Sequence, residues 1–262
     1  MSEKQEQDAS LQLKSKEVYG IIAKQGKEEL ARPLSALAWS GIAAGIAISF
    51  SLFCEGYLQL YLPDTGGAYL IKNLGYTVGF LIVVLGHFQL FTENTITVIL
   101  PLLEELCAKT LRKTARLWSI VLGANLVGTF VVALFTVTLP FFSAEFLQVL
   151  VEISVDATHK DPWVTLFQAI PAGFLIAALV WMLPSSVGSE FWVILTITYV
   201  IAIGDFAHVI AGSVEVFILI LTGDSRILQG LGYLLMSGIG NIIGGTGLFA
   251  FMAYAQVREE RE

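Results

Sequence analysis

A chain of 262 residues with 55% apolar and only 14% charged side chains is too apolar for a soluble domain of its size. Its net charge of −7 is spread through tails and loops and gives no nucleic-acid signal. Two cysteines, Cys54 and Cys107, form neither a disulfide framework nor a zinc pattern, and no metal-ligand cluster or cofactor motif stands out. What remains is a polytopic all-α membrane protein whose solvent is the lipid bilayer.

In chain order, residues 1–32 hold six Lys/Arg and six Asp/Glu. They lack the apolar core of a signal peptide, so nothing there reads as cleaved. The first residues are expected to be disordered, and 17–30 to form a surface helix. Six apolar spans follow, at about 34–60, 67–103 (interrupted at 89–95), 117–139, 163–183, 191–221 (interrupted around His208) and 228–254. Each reaches the roughly 20 residues that a crossing helix needs. The stretch 141–161 is too charged to cross and reads as amphipathic or looped. Six spans put both termini on one side. That side carries twelve Lys/Arg against three (Lys72, Lys160, Arg226) on the other, which places both termini in the cytoplasm. The expected organisation is a cytoplasmic segment 1–32, a transmembrane domain 33–257 and a tail 258–262.

The two interruptions carry the chemistry. Around the second, Gly204, Asp205, His208, Gly212, Ser213 and Glu215 sit within apolar sequence. Hydrocarbon offers such groups no partners, so His208 marks a functional site or a buried contact between helices. Asn125-Leu126-Val127-Gly128 resembles Asn241-Ile242-Ile243-Gly244 at an offset of 116, and the same offset carries Thr92 onto His208. Spans 1–3 (about 33–140) and 4–6 (about 163–257) then read as two copies. Three spans per copy makes the second insert upside down, with matched broken helices pointing to a midplane site. Gly123, Gly128, Gly240, Gly244 and Gly245 allow close helix approach.

Half-helices beginning near Asn94 and after Gly212 would aim their positive ends at the interruption, favouring a small anion or polar solute. His208 adds a titratable donor, and Thr92 a hydroxyl able to bridge to it. Leu90, Phe91 and Phe206 either narrow a path or simply pack. His87, with no repeat partner at that offset, reads as structural.

These residues resemble the formate/nitrite transporter family. Its first-repeat signature, roughly E-L-F-T-G-N, stands here as Gln89-Leu90-Phe91-Thr92-Glu93-Asn94. Its second, roughly F-E-H-x-x-A-N, stands as Phe206-Ala207-His208-Val209-Ile210-Ala211-Gly212. The Asn-Leu-Val-Gly texts and Leu179-Val180-Trp181-Met182 match too, so the resemblance covers about 33–257. It implies an aquaporin-like six-helix protomer in an inner membrane, a homopentamer, and one pore per protomer for small monovalent anions such as formate or nitrite. It assigns His208 and Thr92 to the centre of the pore and Leu90 and Phe91 to a constriction. It implies no enzyme activity.

The departures also matter. The family's two glutamates become Gln89 and Ala207, its loop glycine becomes Glu93, and the asparagine after the histidine becomes Gly212. Its span-4 asparagine corresponds to Gly173, while Asp205 and Glu215 are gained. In an unbroken helix Asp205, His208 and Glu215 would share a face, which would repel an anion. Alternatively both carboxylates pair elsewhere. Three readings therefore stand: a proton-linked or channel-like anion path, the same fold passing a neutral solute or cation because of Glu93, Asp205 and Glu215, and a non-conducting scaffold.

Overall fold

The computed structural model describes residues 13–63 and 65–260. The first residues, expected to be disordered, and the last two residues of the C-terminal tail lie outside that range. Every regular element among the described residues is helical. Five helices are long and apolar enough to cross a bilayer: α2 (Leu34–Tyr61), α3 (Gly66–Leu85), α5 (Ala108–Thr138), α7 (Pro162–Ser185) and α10 (Ile227–Glu259). Three shorter apolar helices are α4 (Asn94–Glu104), α8 (Glu190–Ile203) and α9 (Val209–Thr222). The remaining two are α1 (Ser15–Ala31) and α6 (Ala144–Thr158).

The stretch before the first apolar span is no free tail. Val18, Tyr19, Ile22, Ala23, Gly26 and Leu30 recur at helical spacing and form one buried stripe. That stripe packs α1 against α4, and Gly26 lies so close to the Thr97 carbonyl that any Cβ would collide with it. Arg116 donates to the Leu30 carbonyl at 3.0 Å, placing a cation at the C-terminus of α1. Likewise α6 starts at a Ser143 cap, whose hydroxyl accepts from Phe146 N–H, and buries Phe146, Leu150 and Ile153. It stacks against α9 and α2.

The backbone of the fold is a pair of similar helix crossings. Helix α2 packs on α5, and α7 packs on α10. In the first, Gly45 meets the Asn125 carbonyl and Gly128 meets the Ile42 carbonyl so closely that neither position has room for a Cβ. In the second, Gly173 meets the Asn241 carbonyl and Gly244 the Ile170 carbonyl in the same way. Small residues thus let main chains touch, the packing that works where no hydrophobic drive separates helix from lipid. Gly173, which departs from the family pattern, is required by this contact.

Candidate functional site: two loops, two asparagines and a histidine

Helices α3 and α8 end in the same motif. After Leu85 come Gly86, His87 (φ 53°) and Phe88; after Ile203 come Gly204, Asp205 (φ 52°) and Phe206. His87 N–H bonds to the Val84 carbonyl and Phe88 N–H to the Val83 carbonyl at 3.1 and 3.0 Å. Asp205 and Phe206 bond to the Ala202 and Ile201 carbonyls at 3.0 and 3.1 Å. This is the Schellman ending, with a non-glycine residue in the left-handed position each time. Histidine and aspartate are among the few side chains that tolerate it.

The structural offset between the halves is therefore 118 at the loops, not the 116 read from the Asn-Leu-Val-Gly text. The asparagines explain the difference. Asn125 Oδ1 accepts from Phe91 N–H at 2.9 Å, and its Nδ2 donates to the Gly41 and Gln89 carbonyls, both at 2.8 Å. Asn241 Oδ1 accepts from Val209 N–H at 2.9 Å, and its Nδ2 donates to the Ala169 and Ala207 carbonyls at 2.8 and 2.9 Å. Loop and asparagine are 34 residues apart in the first half and 32 in the second. Two corrections follow. His208 corresponds to Leu90, not to Thr92. His87, expected to lack a repeat partner, corresponds to Asp205. The asparagines also answer where the freed backbone groups go, since each loop gives up one N–H and one C=O to a fully buried amide.

Thr92 and His208, though not equivalent, meet. Thr92 Oγ1 and His208 Nε2 are 2.7 Å apart, and both residues are essentially inaccessible. His208 caps α9, its Nδ1 accepting from Ala211 N–H at 3.1 Å. An accepting Nδ1 carries no proton, so the neutral ring holds its proton on Nε2 and donates it to Thr92. Phe80 packs edge-on against the imidazole, ring centroids 5.1 Å apart. Helix α9 begins at Val209, so Gly212 lies inside it rather than before it.

One cavity reaches His208, and a second lies beside the first loop. A near cavity, of about 420 Å³ and flanked by α1, is lined by Glu28, Glu29, Phe88, Gln89, Glu93 and Asn94 among others. A far cavity, of about 240 Å³, is lined by Glu55, Asp205, Phe206, His208, Glu215 and Tyr233 among others. Phe88 and Phe206 are repeat partners, and each stands at one cavity. Phe88 was missed in the sequence because only the 118 offset reveals it. Leu90, Phe91 and Thr92 are buried and line neither cavity. Phe91 rests edge-on against Trp118. Asn94 is buried and donates to the Gln89 side chain and the Leu90 carbonyl, both at 3.2 Å, tying the first loop together. Glu93 faces the near cavity with a buried oxygen, Oε1, that has no hydrogen-bond partner.

Asp205 does not share a helical face with His208, as an unbroken helix would require. It sits in the left-handed turn, its side chain 54% exposed, and pairs with Lys160. Glu215 is buried, 7% exposed, on the first turns of α9.

The formate/nitrite transporter family model matches residues 16–255. The chain belongs to the formate/nitrite transporter family. That is a family of transporters and channels, not of enzymes. Inner membrane protein YfdC of Escherichia coli (strain K12) is 38% identical over 244 residues, covering 93% of this chain and 79% of that protein. Among solved structures, an FNT family ion channel matches with a TM-score of 0.79 at 15% identity, covering 91% of this chain and 98% of the other. A pentameric formate channel with formate bound matches at 0.71 and 20% identity, covering 90% and 98%. Both likenesses are of fold.

Proposed function

We propose that this family member is a channel for a small monovalent anion of the formate or nitrite type, in a multi-pass inner-membrane protein with both termini cytoplasmic. In this reading the chain crosses six times. The α3–α4 and α8–α9 pairs are broken spans, and 33–140 and 163–257 are inverted copies. Five protomers assemble, each with its own path through the bilayer. The buried Thr92–His208 contact at 2.7 Å carries the proposal: His208 lines the far cavity and Glu93, next to Thr92, lines the near one, as a path joining the two would need. The matched loop geometry supports the inverted repeat, and the Lys/Arg bias supports the orientation. The formate-bound neighbour and the family support the solute class and the pentamer.

The side chains have defined roles in this reading. Nε2–H and the Thr92 hydroxyl give a passing anion donors, and the first amides of α4 and α9 add partial positive charge. Phe88 and Phe206, one at each cavity, strip water on either side, and Leu90 and Phe91 close the buried stretch between them. Proton linkage through His208 requires a second proton on Nδ1, which breaks the Ala211 bond. Formate uptake into proteoliposomes tests the whole reading. His208→Phe and Thr92→Val should each cut the rate at least about tenfold, the order for losing one donor to a charged solute. Uptake unchanged in both variants refutes the site. Comparing uptake at two external pH values separates a proton-linked path from a plain channel.

A second reading, a neutral solute or cation, is favoured by one observation: carboxylates line both cavities, Glu28, Glu29 and Glu93 on one side and Glu55, Asp205 and Glu215 on the other. Reversal potentials in mixed salts separate the two by sign.

A further inference from the structure

The far cavity holds more negative charge than its neighbours compensate. Glu55 on α2 and Glu215 on α9 line it, 8% and 7% exposed. Among the described residues neither makes a hydrogen bond or a close ion pair, and the nearest attracting charges, Lys72 for Glu55 and Lys160 for Glu215, act from further off. Asp156 and Asp205 add two carboxylates to the same wall. Two lysines are close, but both are engaged. Lys160 pairs with Asp205. Lys72 donates to Gln59 Oε1 at 2.9 Å and lies 5.6 Å above the Tyr69 ring. Carboxylates held that far from water favour something positive close by. Both carboxyls open onto the cavity, so whatever occupies it, water or a cation, is what they meet.

The rest of the wall indicates what kind of cation fits. No three His, Cys, Asp or Glu side chains among the described residues converge as metal ligands. A hard metal ion, which takes about six oxygens at short distance, is therefore poorly served. The wall is partly aromatic instead, with Tyr76 and Tyr233 alongside the two glutamates. Tyr233 enters because Gly212 has no side chain: a Cβ there would fall on the Tyr233 ring and hydroxyl. The glycine that replaces the family asparagine thus makes the room that Tyr233 fills. Carboxylates for N–H donors and aromatic side chains beside the body of the ion suit an organic ammonium. A cavity of about 240 Å³ accommodates one of a few heavy atoms.

We propose that the far cavity binds a small organic ammonium cation, bridging Glu55 and Glu215 beside the rings of Tyr76 and Tyr233. Such an ion would meet any solute on its way to His208. The site stands whether or not formate crosses.

The test is calorimetric titration of the purified full-length protein with methylammonium chloride, against sodium chloride at equal ionic strength. Saturable binding of methylammonium but not sodium is expected. Glu215→Gln and Glu55→Gln should each weaken it at least about tenfold, the order for one charge-assisted contact. Glu190→Gln, at the near cavity, should leave it unchanged. Size-exclusion elution shows that each variant keeps its assembly. Where one glutamine variant does not assemble, the other carries the test, together with Gly212→Ala, which displaces Tyr233. No methylammonium binding, equal binding of sodium, or undiminished binding in both glutamine variants overturns the proposal. Formate uptake without methylammonium binding overturns this site and leaves the anion path standing. Methylammonium binding without formate uptake does the reverse.

Discussion

Replacing either buried asparagine by alanine should destabilise the protein by similar amounts. Asn125 and Asn241 each make three hydrogen bonds between 2.8 and 2.9 Å, and each is fully buried. Asn125→Ala leaves Phe91 N–H and the Gln89 carbonyl without a partner, and Asn241→Ala does the same to Val209 N–H and the Ala207 carbonyl. An unsatisfied buried group costs about 1–3 kcal/mol. The third bond, to Gly41 or Ala169, goes to a carbonyl inside a helix, so its loss costs less. Each substitution should therefore cost roughly 2–6 kcal/mol, with the two values within about 1 kcal/mol of each other. Asn241→Asp keeps the acceptor but loses both donors and buries a charge, and should be worse than alanine. The assay is thermal unfolding of the detergent-solubilised assembly, run side by side for the three variants. Loss in one half and tolerance in the other would refute the view that both loops are held by one device.

Gly173→Ala would place a Cβ on the Asn241 main chain and should cost about 1–3 kcal/mol by overpacking. Gly20→Ala on α1, where nothing lies within 4 Å, should instead stabilise by up to about 1 kcal/mol through helix propensity. Equal melting points for the two would refute the close α7–α10 crossing. At the exposed start of α5, a hydrogen bond with Thr110 holds the Cys107 thiol below its usual range. The thiolate therefore persists to lower pH than in a free cysteine, and Cys107 should alkylate faster than a model thiol at neutral pH. Thr110→Val should slow it. Labelling of Cys107 from the cytoplasmic side only would fit the proposed orientation, and labelling from the opposite side would refute it.

Much of this was legible in the chain. Gly, His, Asp and Glu within apolar sequence expose both interruptions, because lipid leaves such groups no cheap alternative. The offset of 116 paired Thr92 with His208 through a false equivalence, yet the two side chains do meet. The two-residue shift between halves was hidden because Asn-Leu-Val-Gly aligns helices, while the loops are set by backbone bonds that leave no letter pattern. His87 and Asp205 hide their left-handed conformation because neither is glycine. The Lys160–Asp205 pair spans 45 residues, beyond any local periodicity. The buried stripe of α1 was readable at helical spacing, but the charges around it suggested a face turned to water.

His208 borders the far cavity, whereas its partner Thr92 borders neither, and the amides of Gln89 and Asn94 face the near side. A two-fold scaffold thus encloses a one-sided interior. On the proposed path, a solute entering by one door would reach an imidazole first, and by the other an amide first. Travel in the two directions climbs differently shaped barriers, although at equilibrium the net flow is still zero. Current–voltage curves measured in symmetrical solution should bend rather than run straight through the origin.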